Sequence, residues 1–194
     1  GASMTIGTYL LPEIINDFNQ VYKEVDISLI IDNTSVIEQK TLDNDIDLGF
    51  IEGPIHSEDI IIKYFFDDNL LLICSSKHKW GDKEKVFPQE IKNEDFIMRE
   101  KGSGTREVIE NIMTREKIEY KVQHVLNNIE AIKKAVMKNI GVSILPEIAV
   151  KKEIKENKIR IKELNGIEFK RKFNIIYHKD KYQSSVFKRF LDFI

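Results

Sequence analysis

Residues 27–53, ISLIIDNTSVIEQKTLDNDIDLGFIEG, decide the fold class. The segment begins with the β-branched run ISLII and ends near the apolar run LGFI, and both runs are typical of buried strands. Between these runs, residues 36–42 predict a short helix. A strand, a helix and a strand in this order require a mainly parallel sheet. The segment therefore predicts an α/β protein.

The flanking residues extend this pattern in both directions. Upstream, residues 10–23 predict a helix, because apolar side chains follow an i, i+3, i+4, i+7 spacing, at Leu11, Ile14, Ile15, Phe18 and Tyr22. Downstream, the runs that begin at Ile60 and Leu70 predict two strands. The polar triplet Asp67-Asp68-Asn69 between them is typical of a turn.

A second αβ region follows a polar segment at residues 77–94, so we expect a lobe boundary near Ser76. This region alternates strands at 96–100, 122–126 and 142–145 with two helices. The helices are expected to begin at Ser103 and Asn128, and Gly141 is expected to end the second helix as a left-handed cap. A strand from Phe173 and a helix capped by Ser184 close the chain.

Composition excludes several classes of function. The 194 residues have a formal net charge of -2, so the chain has no global positive field for binding DNA by itself. No apolar run approaches the length that spans a bilayer, and the first residues lack the pattern of a secretory signal. We therefore expect a cytoplasmic protein that does not bind a membrane. The single cysteine, Cys74, has no disulfide partner.

The sequence shows no catalytic motif. Its four histidines lie far apart without metal-ligand spacing. The Gly102-Ser103-Gly104 turn lacks the outer glycines of a nucleophile elbow, and Glu107 occupies the place of the third glycine in a dinucleotide fingerprint. We therefore predict that the chain is not an enzyme and has no cofactor or metal site.

Small hydroxyl or amide residues recur immediately before the predicted helices. They are Ser3 and Thr5, Asn33, Thr34 and Ser35, Ser103 and Thr105, and Asn127 and Asn128. Each can be interpreted as an ordinary N-cap. Alternatively, helix N-termini that follow parallel strands meet at one sheet edge, where their N–H groups and dipoles favour an anion. Arg106 and Glu52 stand at the ends of two such elements and are further candidates for ligand binding.

Several segments together resemble the effector-binding domain of LysR-type transcriptional regulators. The likeness begins with GASMTIGTYLLP and covers essentially the whole chain in order. DIDLGFIEG and GVSILP are characteristic elements, and GSGTR is typical of the branch around the CysL and CbbR regulators. The resemblance is therefore far more specific than any single motif.

The resemblance implies a two-lobed fold similar to type 2 periplasmic binding proteins, with two Rossmann-like lobes joined by two crossover strands. Lobe I would comprise residues 1–77 and 168–194 with its first strand cut short, and lobe II residues 78–167. The family's N-terminal helix-turn-helix domain would lie outside this chain. The implied effector-binding residues are Ser3, Met4, Thr5, Asn33, Thr34, Ser35, Glu52, Ser103, Gly104, Thr105, Arg106 and Asn128.

We therefore predict a ligand-sensing domain that binds a small polar or anionic metabolite in the cleft between the lobes. The resemblance also implies a homodimer of this domain, a tetramer of the full-length protein, and DNA binding through the missing domain alone. Two alternatives remain at this point. An exported solute-binding protein of a transporter would have the same fold, and an enzyme could use the same two lobes.

Overall fold

The computed structural model describes residues 1–194 and shows a mixed α/β chain. The chain divides into two compact units. Unit 1 comprises Gly1–Asp67 and Lys172–Ile194, and unit 2 comprises the uninterrupted segment Asp68–Arg171. The α/β class predicted from the sequence is confirmed, and the chain passes from one unit to the other along two strands.

Unit 1 contains a small sheet flanked by helices. Its elements are β1 (Ala2–Ser3), α1 (Met4–Tyr9), α2 (Leu11–Val21), β2 (Ile31–Asp32), α3 (Thr34–Leu42), β3 (Gly49–Glu52), the start of β4 (Ile60–Ser75), the end of β10 (Phe169–His178), and α8 (Ser185–Phe193). The strand β1 pairs in parallel with β2 and β3, and β10 is antiparallel to β3. The parallel order predicted from residues 27–53 is thus present in this unit.

The core of unit 1 lies between its sheet and the helices α2 and α8. Leu11 and Phe18, from the apolar stripe of α2, are buried. Phe18 meets Phe190 of α8 edge to face, with ring centroids 4.9 Å apart. Ser184 caps α8, since its Oγ accepts the N–H of Phe187 at 3.1 Å, as predicted.

Unit 2 contains the remaining strands and helices. They are the end of β4, β5 (Lys85–Val86), α4 (Pro88–Ile91), β6 (Asp95–Arg99), α5 (Gly104–Arg115), β7 (Lys121–Leu126), α6 (Ile129–Met137), β8 (Ser143–Pro146), α7 (Glu147–Lys155), β9 (Ile159–Leu164), and the start of β10. The strand β4 is antiparallel to both β8 and β9, while β6 and β7 are parallel. Trp80 is the largest fully buried side chain of this unit's core.

The predicted turn at Asp67-Asp68-Asn69 is wrong, because β4 runs without interruption from Ile60 to Ser75. Asp68 is buried in this strand and forms an ion pair with Arg171 of β10, at 2.6 Å between Oδ2 and Nε. A polar triplet usually indicates a turn because its side chains need water. Here the buried guanidinium group of Arg171 supplies the hydrogen bond that water would otherwise donate to Asp68.

The strand predicted at residues 27–31 is much shorter in the structure. Only Ile31 and Asp32 form β2, because β1 offers only Ala2 and Ser3 for pairing. Leu29 and Gly1 are among the residues that line a cavity of about 430 Å³ in unit 1. The expected shortening of the family's first strand stays a prediction.

The left-handed cap after α6 is Asn139, with φ 58°, and the prediction of Gly141 at this position is wrong. Gly141 is required for a different reason. A Cβ atom on it would lie 2.2 Å from the carbonyl oxygen of Asp95, so the backbones approach too closely for any side chain.

The boundaries between the units differ from the expected lobe boundaries. The chain crosses at 67/68 and 171/172, whereas the sequence led us to expect 77/78 and 167/168. The polar segment that suggested the first boundary follows β4, but the crossing lies inside this strand. Because the chain passes from unit 1 to unit 2 in the middle of a continuous strand, a change in sequence composition does not show where this happens.

Candidate functional site

In unit 1, polar residues meet at the carboxyl ends of three parallel strands. Ser3 ends β1, Thr34 follows β2, and Glu52 ends β3. Because β1 is parallel to both neighbours, these ends lie at the same edge of the sheet. All three residues are buried, although most of their neighbours in the core are apolar.

The carboxylate of Glu52 is the centre of this set. The Oγ of Ser3 donates to its Oε2, and the Oγ1 of Thr5 donates to its Oε1 at 3.4 Å. The Oγ1 of Thr34 donates to the main-chain oxygen of Glu52 at 3.2 Å. Glu52 is only 1% exposed, so the hydroxyl groups of Ser3 and Thr5 replace water that its carboxylate would otherwise need.

The other predicted residues of unit 1 flank this set. Asn33 is the N-cap of α3, since its Oδ1 accepts the N–H of Val36 at 3.0 Å. Met4 is the first residue of α1 and is half-buried, and Ser35 is exposed in the first turn of α3. The N-cap interpretation is thus confirmed for Asn33. Ser3 occupies the N-cap position of α1, but its side chain makes no cap hydrogen bond and donates to Glu52 instead.

In unit 2, the corresponding edge is formed by β6 and β7, which are parallel. The loop after β6 leads into α5, where Ser103 is the N-cap and accepts the N–H of Arg106 at 3.4 Å. Ser103, Gly104 and Thr105 are all buried. The Oγ1 of Thr105 accepts a hydrogen bond from Nη1 of Arg171 at 2.7 Å.

Arg171 connects Thr105 to the two strands that cross between the units. Its Nε donates to Asp68 Oδ2, and its side chain is only 1% exposed. An arginine presents a rigid planar set of donors, so bonds to Asp68 and Thr105 together fix the orientation of the guanidinium group. The sequence pattern placed Asp68 in a turn and indicated no role for Arg171.

Arg106 is held against its own helix. Its Nε donates to Glu110 one turn later at 2.7 Å, and its Nη1 donates to the main-chain oxygen of Arg99 at 2.9 Å. These bonds anchor the end of β6 to the first turn of α5. The role of Arg106 in ligand binding stays a prediction.

Asn128 lies at the start of α6 and is exposed. Its Oδ1 accepts the N–H of Ala131 at 3.1 Å, which confirms the N-cap interpretation. The strands that precede Ser103 and Asn128 are parallel neighbours, so both residues follow the same edge of the two-stranded sheet.

Other potentially reactive groups are inert or scattered. No group of three or more His, Cys, Asp and Glu side chains could hold a metal ion. Burial raises the pKa of the Cys74 thiol to about 11, so the nucleophilic thiolate is scarce at neutral pH. No helix of the chain is long and apolar enough to cross a membrane.

Two α/β units, each with buried polar residues at the carboxyl ends of its parallel strands, define the class of two-unit ligand-binding proteins. The family model described as "LysR substrate binding domain" matches residues 1–194. The chain therefore belongs to the LysR substrate-binding domain family, as the resemblance predicted.

Two curated relatives illustrate this relationship. The chain is 33% identical to the HTH-type transcriptional activator CmpR of Synechocystis sp. over 193 residues, which cover 100% of this chain and 64% of CmpR. It is 27% identical to the HTH-type transcriptional regulator CysL of Bacillus subtilis, over 91% of this chain and 59% of CysL. The chain thus spans less than two thirds of the length of these relatives, and the likeness to CysL is confirmed.

Solved structures agree with the fold. The CcmR regulatory domain of Synechocystis PCC6803, solved in complex with 2-PG, has a TM-score of 0.90 and 29% identity, over 99% of this chain and 92% of that chain. The effector-binding domain of QuiR, solved in complex with shikimate, has a TM-score of 0.89 and 21% identity, over 100% of this chain and 92% of that chain. These neighbours confirm the predicted two-lobed fold of the type 2 periplasmic-binding-protein kind. The chain is an effector-binding domain of the LysR type.

Proposed function

We propose that this chain senses a small polar or anionic metabolite for a DNA-binding transcription regulator. The proposal is carried by the buried Glu52 carboxylate, which accepts from the hydroxyl groups of Ser3 and Thr5, while Thr34 donates to the main-chain oxygen of the same residue. Apolar side chains would fill this space without the cost of removing a carboxylate and hydroxyl groups from water, so the set indicates a role beyond packing. A ligand with hydroxyl groups or amines can donate to this carboxylate in place of the serine and threonine hydroxyl groups.

The ligand-binding residues that we propose are the twelve predicted from the resemblance. In unit 1 they are Ser3, Met4, Thr5, Asn33, Thr34, Ser35 and Glu52, and in unit 2 they are Ser103, Gly104, Thr105, Arg106 and Asn128. The burial of Ser3, Thr34, Glu52, Ser103 and Thr105 supports this assignment. Binding in the cleft between the lobes stays a prediction.

The parent protein would bind promoter DNA through a helix-turn-helix domain beyond this chain, and it would work in the cytoplasm as a tetramer. The relatives' names support the DNA-binding role, since CmpR and CysL are both HTH-type regulators. We further propose that the chain is not an enzyme, because the named relatives are regulators of transcription. The transporter alternative receives no support from the named relatives.

A homodimer of this domain is part of the proposal. The strands β2 and β7 each have one unpaired edge, at the ends of their hydrogen-bonded orders. Both edges carry exposed apolar side chains, Ile31 on β2 and Val125 on β7, and Val21 of α2 is exposed as well. Unpaired edges with apolar side chains favour association with another chain.

A ligand screen tests the sensing function. We expect that one compound from a panel of sulfur metabolites, sugar phosphates and carboxylates, with 2-PG and shikimate included, raises the melting temperature of the wild-type chain. A ligand at 100 times its Kd stabilises by about 2.7 kcal/mol. No shift with any compound would contradict the proposed function.

Two variants then test the two sets of residues. Glu52→Gln removes the buried charge of unit 1, and Thr105→Val removes the hydroxyl that accepts from Arg171 in unit 2. Each should weaken binding of that compound about tenfold or more, since a hydrogen bond to a charged group contributes roughly 1.5–3 kcal/mol. Thr41→Val is the matched control, because Thr41 is equally buried but bonds to Ile37 within α3. Wild-type affinity in both test variants would contradict the assignment.

A further inference from the structure

Arg99 is a buried arginine that the site described so far does not use. It ends β6 and is 2% exposed. Its Nε and Nη2 both donate to the carboxylate of Glu100, each at 2.8 Å. This side-on pair fixes the plane of the guanidinium group and occupies one edge of it.

The third nitrogen of this guanidinium group has no hydrogen-bond partner. Nη1 of Arg99 is buried and makes no hydrogen bond within the chain. Arginine remains charged at any pH that proteins experience, so it cannot escape the cost of burial by losing a proton. Because buried polar atoms are almost always paired in proteins, this donor indicates an acceptor from outside the chain.

The position of Arg99 connects this donor to the ligand-binding set of unit 2. The Arg106 side chain donates to the main-chain oxygen of Arg99 at 2.9 Å, and the main-chain N–H of Ser103 donates to the main-chain oxygen of Glu100 at 3.3 Å. The loop from Arg99 to Ser103 is therefore tied to the N-terminus of α5, a helix of 12 residues whose positive dipole end favours negative charge.

We propose that Arg99 binds the effector, and that its Nη1 donates to an oxyanion of the ligand, such as a carboxylate, sulfate or phosphate group. The inference rests on the proposed function and adds both a residue and a ligand class to it. Glu100 keeps the guanidinium group in place, and the adjacent helix end makes a negatively charged acceptor more favourable than a neutral one.

The test compares Arg99→Met with a matched control, Arg115→Met. Arg115 pairs with the next residue, Glu116, at the same distance of 2.8 Å, but its side chain is 68% exposed. Thermal unfolding of each protein is followed with inorganic phosphate, sulfate or acetate, at an ionic strength kept constant with chloride. We expect at least one oxyanion to stabilise the wild type and Arg115→Met but not Arg99→Met. The compound from the ligand screen should bind Arg99→Met about 10- to 100-fold more weakly.

Arg99→Lys is a second test variant, which keeps the inference testable if Arg99→Met does not fold. Lysine keeps the charge but presents a single donor group, so the oxyanion response should be reduced and still measurable. The inference is overturned if no oxyanion stabilises the wild type, or if Arg99→Met or Arg99→Lys responds as the wild type does. If the screened compound binds wild type and Arg99→Met equally, the sensing function stands and Arg99 has no part in it. If no compound binds the wild type, the proposed function itself fails.

Discussion

At the scale of single residues, His78 shows how two hydrogen bonds select one protonation state. Its Nδ1 accepts the N–H of Trp80 at 3.2 Å, so the ring proton must be on Nε2, which lies 3.2 Å from Glu94 Oε2. Burial lowers the pKa of His78, and the Glu94 carboxylate opposes this shift without cancelling it. The imidazole is therefore neutral in the folded chain at neutral pH.

This lowered pKa predicts that stability depends on pH. Below the unfolded pKa of 6.5 the unfolded chain takes up a proton that the folded chain does not, so the free energy of unfolding should fall as the pH falls from 6.5 towards the folded pKa. Urea denaturation between pH 8 and pH 5 measures this loss. His78→Gln should lose less stability over this interval than the wild type.

Glu94→Gln provides a second comparison. It removes the carboxylate that raises the pKa of His78, so the loss of stability at low pH should become larger. A wild type that gains stability from acidification over this interval would contradict the assigned direction.

The residues of the candidate site were predictable where strand order alone places them. Ser3, Thr34 and Glu52 end or follow parallel strands, and hydrogen bonds do join them in unit 1. Arg99 and Arg171 were not predicted because each is a strand residue next to another charged residue, Glu100 in one case and Lys170 and Lys172 in the other. Which of two charged neighbours is buried depends on tertiary pairing, and the sequence does not display it.

At the scale of secondary-structure elements, the strands β4 and β10 are joined by the buried pair of Asp68 and Arg171. Removing one partner of such a pair leaves an uncompensated buried charge. Arg171→Met should therefore lower the free energy of unfolding by about 3–5 kcal/mol, as measured by urea denaturation. The double variant Asp68→Leu with Arg171→Met should recover most of this loss.

The exposed pair of Lys85 and Glu163 is the control for this prediction. Their side chains are about half exposed, so Lys85→Met should change stability by at most about 1 kcal/mol. If Arg171→Met were no more damaging than Lys85→Met, the buried pair would not hold these strands.

Most elements were predictable from periodicity, because the apolar stripes of α2, α5, α6 and α8 face the cores of their units. The predictions from periodicity are wrong where pairing with another part of the chain decides the secondary structure of a segment. Residues 27–30 are not a strand because β1 pairs with this segment only through Ala2 and Ser3, opposite Ile31 and Asp32. Residues 67–69 are not a turn because Arg171 pairs with Asp68.

At the scale of the whole molecule, the proposed dimer predicts a change in assembly. In the proposed dimer, as the family resemblance implies, α2 and the following strand of one chain would pack on the helix and strand of the other chain's second lobe. Ala135, half-buried on α6, would lie in this contact. Ala135→Glu should place a charge in the contact twice, because a two-fold axis repeats it, and sedimentation should then show a folded monomer.

Lys152→Glu is the control, since Lys152 is exposed on α7 of the same unit. It also adds negative charge to unit 2, but it should leave the dimer intact. A wild-type chain that sediments as a monomer at concentrations on the order of tens of micromolar would contradict the dimer.

The two units differ in whether each can be expressed as a single uninterrupted segment of the chain. Unit 2 is one unbroken stretch of chain whose first and last residues are Asp68 and Arg171. It is therefore encoded by one continuous stretch of the gene, and its two terminal residues form an ion pair with each other. Unit 1 consists of two separate segments, residues 1–67 and 172–194. To express unit 1 alone as one polypeptide, a short linker would have to replace residues 68–171.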